Sequence, residues 1–354
     1  MTNNQIKKIL YISRTRLDYS LNSVLIQGLR ENNVHVSDIH VQKGVLGLVK
    51  ALSFYRRNSK DADLMIVGYN SQPLAFFLRP FCRKKIIYNA VLSEYERMVI
   101  SRQLARKLSL KGIYYWLLDL LAVHSVDLIL LESNEQANFF NKIFKVSKKK
   151  LYRNWIGCDE DKFYYDSSVP KQDVFTVLFR GALMPEAGTE YVVKAAKILE
   201  NENINFVLIG GGLLLEKTEK LIKELAPKNL KHITDYVPYD ALRTMMQSCH
   251  ISLGQLSHHV RLKRTLPHKA YETLSMKLPY LTSANTGVLE LLEPDETCIL
   301  CSPADERSLA DKILWAKDNP QELERIAENG HKLYQEKLRS VILARNLLDK
   351  FREL

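Results

Sequence analysis

The segment RTLPHKAYETLSMKLPYLTS, residues 264–283, decides how the rest of the chain is read. Pro267 suits the first turn of a helix, because its ring fixes φ near the helical value and its missing N–H would have no helix acceptor there. The helix is predicted to continue through Met276, and Lys277-Leu278-Pro279 ends it. Its leading N–H groups and positive dipole end form an anion site, to which Arg264 and Lys269 add full charges within a turn. Glu272, one turn further on and read as a surface carboxylate, can accept hydrogen bonds from paired hydroxyls such as those of a ribose. A phosphate site followed by a hydroxyl acceptor points to a nucleotide.

Outward from this segment, apolar runs alternate with helical patterns in both directions. Strands are predicted at residues 173–180, 204–209, 230–234, 250–253, 279–282 and 298–301, with helices at 188–200, 213–225 and 239–247 between them. Earlier in the chain, strands at 7–13, 34–41, 63–68, 85–90, 127–131 and 150–155 alternate with helices at 22–30, 46–57, 135–144 and, broken near Gly112, 98–124. Such alternation specifies parallel sheets covered on both faces. The expected architecture is α/β, with two doubly wound Rossmann-like domains facing a central cleft where ligands bind. The predicted division is an N-terminal domain at 1–155, a polar linker at 156–170, a C-terminal domain at 171–335, and a last helix at 336–354 free to return to the N-terminal domain.

With 354 residues, 46% of them hydrophobic and 26% charged, the chain can bury two full cores. The five cysteines are an odd, scattered set, which suits reduced thiols in the cytoplasm; Cys298 and Cys301 have C-x-x-C spacing but no second pair to complete a metal site. The polar amino end, residues 1–5, does not read as a signal peptide. No apolar run reaches the length of a membrane span, and the longest, residues 113–123, is interrupted by Asp119 and reads as a buried helix. The net charge of +11 is uneven: residues 1–170 hold 26 Lys and Arg against 15 Asp and Glu, while residues 171–354 hold 25 against 25. The first half is therefore expected to meet something anionic. Nucleic acid is not the expected partner, since no basic stretch is interleaved with aromatics.

The order of several landmarks resembles the retaining GT-B glycosyltransferases called glycosyl transferases group 1. These are Ile156-Gly157-Cys158-Asp159 with Phe163, Phe179-Arg180-Gly181-Ala182-Leu183 with Ala187-Gly188, the strand ending in Gly210-Gly211-Gly212, Tyr236-Val237-Pro238, and Pro267, Lys269 and Glu272 followed by Lys277 and Pro279. The resemblance implies transfer of a sugar from a nucleotide diphosphate donor to a glycan or lipid-linked acceptor, with retention, without a metal or other cofactor, the nucleotide sugar acting as co-substrate. It implies that Arg180, Gly181, Gly210, Gly211, Tyr236, Val237, Thr265, Leu266, Pro267 and Glu272 bind the donor, and that Arg264 and Lys269 stabilise the departing diphosphate. Two places depart from the family pattern: Ala182 and Ala187 stand where Arg and Lys commonly contact the diphosphate, and Arg264 stands where the first of two glutamates is usual. Arg180, Arg261, Lys263 and Arg264 can return the missing charge. A nucleotide-sugar epimerase on the same fold and a non-catalytic partner subunit are the competing readings.

Other candidates are more open. Glu94 or Glu96, after the fourth strand, can orient an acceptor hydroxyl or simply enrich a helix first turn in acid. Asp159-Glu160-Asp161 imitates a metal motif but reads as turn capping, and His258-His259 is a weak metal or base pair. Gly210 to Gly212 serve either close approach of a ligand or a plain turn. Over residues 74–85 a helical reading places Leu74, Phe77 and Phe81 on one face and Arg79 and Arg83 on another, with Lys84 and Lys85 after it. That pattern suits an anionic membrane surface or a helix packed on its sheet, and the first use would make the protein peripheral on the inner face of the membrane. The basic stretch 97–111 reads as a poor interfacial face, its charges going round the helix.

Overall fold

The structure, a computed structural model, describes residues 6–354; the polar amino end read above, residues 1–5, lies outside the described residues. The chain divides into two compact units, Met1–Asp159 with Lys337–Leu354, and Glu160–Glu336. The first unit contains β1 (Lys8–Ser13), α1 (Ser20–Glu31), β2 (His35–His40), α2 (Val45–Asn58), β3 (Leu64–Val67), α3 (Gln72–Leu78), β4 (Lys85–Val91), α4 (Leu110–His124), β5 (Leu128–Leu131), α5 (Asn134–Phe144) and β6 (Leu151–Arg153). The second contains β7 (Phe175–Arg180), α6 (Thr189–Ile198), β8 (Ile204–Ile209), α7 (Leu215–Leu225), β9 (Leu230–Ile233), α8 (Tyr239–Ser248), β10 (Ile251–Leu253), α9 (His268–Ser275), β11 (Tyr280–Ser283), α10 (Thr286–Leu289), β12 (Ile299–Cys301), α11 (Glu306–Asp318) and α12 (Pro320–Leu333). The last helix, α13 (Ser340–Arg352), belongs to the first unit.

Each unit has a six-stranded parallel sheet, ordered β2-β1-β3-β4-β5-β6 and β12-β11-β10-β7-β8-β9. Strands such as Leu-Met-Ile-Val of β3 are buried at every position, because helices cover both faces and neither can be polar. In the first unit, α2, α3, α4 and α5 pack around Leu10, Met65 and Ile129 on one face. On the other face, α1 and α13 pack around Ile9, Ile66 and Leu130. Gly28 of α1 makes that second layer close: a Cβ there would sit 2.1 Å from the carbonyl oxygen of Ser340. In the second unit the strand order reverses direction between β7 and β10, so the loop after β7 leaves the sheet at the switch point where open α/β sheets bind ligands.

Three helix readings need correction. Pro267 is the cap of α9: its φ of −62° is the helical value its ring fixes, but its ψ of 144° is extended, so the helix opens one residue later with the Pro267 carbonyl accepting from Ala270 N–H. The break in the 98–124 stretch lies before Ser109, and Gly112 is inside α4: Ser109 Oγ accepts its N–H, and a Cβ there would meet Arg106 O at 2.2 Å. The helix read over residues 74–85 ends at Leu78, and its Leu74, Ala75 and Leu78 are buried on the sheet. Arg79 and Lys85 from the same stretch pair with Asp127.

Candidate functional site

The residues singled out in the second unit converge on the carboxyl end of β7. Arg180 is its last residue, and Gly181, at φ +139°, turns the chain over the sheet edge. Lys269 of α9 reaches this turn: its Nζ lies 3.7 Å from the centroid of the Phe179 ring, and a Cβ on Gly181 would come within 3.4 Å of it. Glu272, one turn along α9, forms an ion pair with Arg180 and accepts from His268 Nδ1 at 3.1 Å. It is 5% exposed, which corrects its reading as a surface carboxylate. The i,i+4 geometry of α9 puts His268 and Glu272 on one face, while β7 brings Arg180 and Phe179 beneath them.

Burial sets the protonation of this cluster. It pushes the Lys269 amine well below its ordinary range, and the neighbouring Arg180 charge adds to the effect while Glu186 opposes it. Burial, followed by the same Arg180 charge, lowers His268 to about 4. Arg180 itself is lowered to about 10, by burial. Near neutral pH His268 is therefore a neutral imidazole. With Nδ1–H donating to Glu272, its buried Nε2, which has no hydrogen-bond partner among the described residues, presents a lone pair. Ahead of Ala270, whose N–H goes to the Pro267 carbonyl, the N–H groups of His268 and Lys269 have no acceptor within the helix, and they add donors at this end of α9. One fixed guanidinium, a buried amine whose proton a bound anion would favour, helix N–H donors and one neutral imidazole suit a polyanion carrying hydroxyls.

The glycines after β8 have a packing reason of their own. A Cβ on Gly210 would meet Gly181 O at 2.1 Å and one on Gly212 would meet Leu183 N at 2.9 Å, both at positive φ. Leu183 N–H donates to Gly211 O and Gly181 N–H to Ile209 O, so the two loops are laced together. Gly211 is open, with only Leu215 Cδ2 at 3.9 Å. Thr265, Leu266 and Pro267 are buried, and Gly287 at the start of α10 presses against Thr265 with 2.6 Å between a hypothetical Cβ and its backbone. Arg264 is half-buried just before them. Tyr236 is exposed and Val237 half-buried in the loop that leads to α8.

The remaining candidates have surroundings of their own. Arg261 is held by Glu186 at 2.5 Å, and Lys263 points to solvent. Ala182 is exposed, whereas Ala187 lies in the core of the second unit. His259 Nδ1 accepts from Arg261 N–H, a turn contact, and Glu160 accepts from Tyr334 OH at 3.0 Å. All five cysteines are buried, and burial pushes Cys249, Cys298 and Cys301 up to about 12. In the first unit, Glu94 pairs with Arg97 at 2.5 Å, and Glu96 is buried with Gln136 Nε2 donating to it. Beside them Val91 is held at φ +62°, costly for a β-branched residue, at an irregularity in the β4–β5 pairing. Asp119 anchors the loop from α4, accepting from Ser93 Oγ, Tyr95 N–H and Gln72 Nε2, and burial raises it to about 7.

His268 and Phe179 are site residues that the sequence reading passed over. The first was legible in its four-residue spacing from Glu272; the second depends on strand and helix meeting across 90 positions and left no local signal.

Residues 161–333, which carry this cluster, match the profile of Glycosyl transferases group 1. This stretch belongs to that glycosyltransferase family. The chain also aligns with the Alpha-D-kanosaminyltransferase of Streptomyces kanamyceticus, 30% identical over 156 residues, which is 44% of this chain and 39% of that protein. The chain covers less than half the length of each curated relative it matches. Over nearly its whole length it superposes on the Anabaena protein HepE in complex with UDP-glucose, with a TM-score of 0.74 at 15% identity covering 98% of this chain and 100% of that one. It superposes likewise on sucrose-phosphate synthase from Thermosynechococcus elongatus, with a TM-score of 0.77 at 16% identity and 98% of each chain covered. The fold of the chain is GT-B, two Rossmann-like units with parallel sheets.

Proposed function

We propose that the chain is a glycosyltransferase that moves a hexosyl group from a nucleotide diphosphate donor to a glycan or lipid-linked acceptor, with retention and without a metal. The observation that carries this reading is the buried cluster of Arg180, Lys269, His268 and Glu272 at the switch point of a group 1 domain. Transfer builds negative charge on the departing diphosphate. Preorganised cations and N–H groups facing that charge lower the barrier without reorganising, and each such donor typically accounts for roughly a hundred- to a thousandfold in rate. Lys269 and Arg180, with Arg264 at the mouth of α9, are placed to do this, while the open backbone at Gly181 and Gly211 lets phosphates approach. The neutral His268 accepts a hydroxyl of the sugar, and Glu272 holds both His268 and Arg180 in position.

The crystallised HepE complex with UDP-glucose supports a uridine diphosphate donor. The acceptor belongs to the basic first unit, where Glu94 is the candidate group for its hydroxyl, and a cytoplasmic protein peripheral on the inner leaflet suits a lipid-linked acceptor. Ala182 favours a second reading, a non-catalytic subunit, because the side chain that commonly meets the diphosphate is missing. The test is a thermal-shift screen against nucleotide sugars, followed by product analysis with EDTA present. Stabilisation by one donor and sugar transfer in EDTA support the enzyme; binding without turnover or hydrolysis across acceptors supports the subunit.

A further inference from the structure

Helix α4 has its apolar side turned to solvent. Leu110, Ile113, Tyr114, Leu117 and Leu121 are all exposed, Leu110 to 90%, and at about 100° per residue they share one arc roughly a quarter-turn wide. Its one carboxylate, Asp119, is buried on the opposite side with Gly112, Ala122 and Val123. Soluble proteins rarely leave such a continuous apolar stripe uncovered without using it. The stripe corrects the reading of residues 113–123 as a buried helix. It also gives residues 97–111 another role, since they deliver cations to the end of the stripe rather than forming a face of their own.

The charge around the stripe says what covers it. Residues 97–118 contain five Lys and Arg and no Asp or Glu, and of these Arg106, Lys107 and Lys111 are exposed beside Leu108 and Leu110. On the same sheet face α2 exposes Val45, Leu46 and Val49 between Lys43 and Lys50, and residues 39–60 likewise hold no carboxylate. A second copy of this chain would bring cation against cation. A surface of anionic phospholipid takes the leucines below its headgroups and the Lys and Arg among its phosphates. With 15 residues, α4 is about 22 Å long at 1.5 Å per residue, short of the ~30 Å hydrocarbon core, so it lies in the interface plane.

We infer that the exposed face of α4, with the first turn of α2 on the same face of the sheet across α3, is the surface by which this protein seats on an anionic bilayer. The inference rests on the peripheral placement proposed above and is independent of the donor chemistry. It moves the contact away from Arg79 and Lys85, which are engaged with Asp127.

The test is co-sedimentation with phosphatidylcholine vesicles with and without about 30% phosphatidylglycerol. Four proteins are compared: wild type, Leu110→Ser with Leu117→Ser and Leu121→Ser, Arg106→Ser with Lys107→Ser and Lys111→Ser, and Arg83→Ser with Lys84→Ser. The expected result is salt-sensitive binding of wild type to the anionic vesicles only, weakened at least about tenfold by either α4 variant and unchanged in the last. All substituted side chains are at least partly exposed, and the single Leu110→Ser, with a melting curve, guards against a misfolded triple variant. Wild-type binding that persists in the α4 variants and falls with Arg83 and Lys84 overturns this surface and leaves the peripheral placement standing. Absence of wild-type binding overturns both. Self-association of wild type that the leucine variant abolishes, with no vesicle binding, assigns the stripe to a second copy and also overturns the inference.

Discussion

Lys269 sits where a protonated amine is disfavoured: it is buried and beside Arg180, and these outweigh the attraction of the Phe179 ring beneath it and of Glu186. A diphosphate bound there reverses the balance, because its charge attracts the proton that burial and Arg180 repel. The sign follows directly. The amine has a depressed pKa without ligand and a higher one with it, so binding takes up a proton at any pH between the two, and affinity falls as pH rises through that window. Calorimetric titration with UDP over a pH series below the ordinary range of a lysine amine is expected to show proton uptake as a dependence of the enthalpy on the buffer's ionisation heat, with affinity falling by up to about tenfold per pH unit. Lys269→Met is expected to abolish the uptake and weaken binding. Equal enthalpies in all buffers would place the diphosphate elsewhere. Lys269 and Glu272 were legible because a helix start and its spacing are local. Phe179, Arg180 as the partner of Glu272, and Glu186 as the partner of Arg261 were not, since those pairings exist only once β7 and the loops of the second unit are assembled.

At the scale of elements, the repeating strand and helix periods made both sheets readable, as in β8, whose bounds follow its apolar run. Amphipathic orientation was harder to read. Residues 113–123 are apolar all round apart from Asp119, so periodicity alone does not say which side faces the core, and the carboxylate went inward because Ser93, Gln72 and Tyr95 N–H receive it. The glycine run after β8 divides in the same way between packing and ligand access. Gly210→Ala forces a Cβ to 2.1 Å from Gly181 O at a φ of +141°, so it is expected to lower stability by more than about 2 kcal/mol. Gly211→Ala meets only Leu215 Cδ2 at 3.9 Å and is expected to change stability by less than about 0.5 kcal/mol. If Gly211 backs the donor phosphates, the same variant weakens UDP binding in a thermal-shift titration. Urea melts of the two variants that coincide would refute the lacing of the two loops.

At the scale of the whole molecule, α1 and α13 pack together in one unit, which makes that unit dependent on residues more than 300 positions apart. Helix α13 supplies Ala344, Leu347, Leu348 and Phe351 to the layer formed with Leu25, Ile26 and Leu29 of α1. Three of those four side chains are large, and each buried one is worth about 1.5–3 kcal/mol, so the helix accounts for several kcal/mol. That is comparable with the ~5–15 kcal/mol by which an ordinary domain is stable. Deleting residues 340–354 is therefore expected to unfold the first unit or move its urea transition far down. Amide exchange should lose protection over β1, β3 and β4 while the strands of the second unit keep theirs. The second unit contains the whole Arg180, His268, Lys269 and Glu272 cluster, so UDP should still protect β7 and α9 in the truncated chain. Loss of that protection together with the first unit would mean that the nucleotide site depends on residues outside the group 1 domain, whereas an unshifted urea transition would show that α13 is dispensable to the unit it packs on.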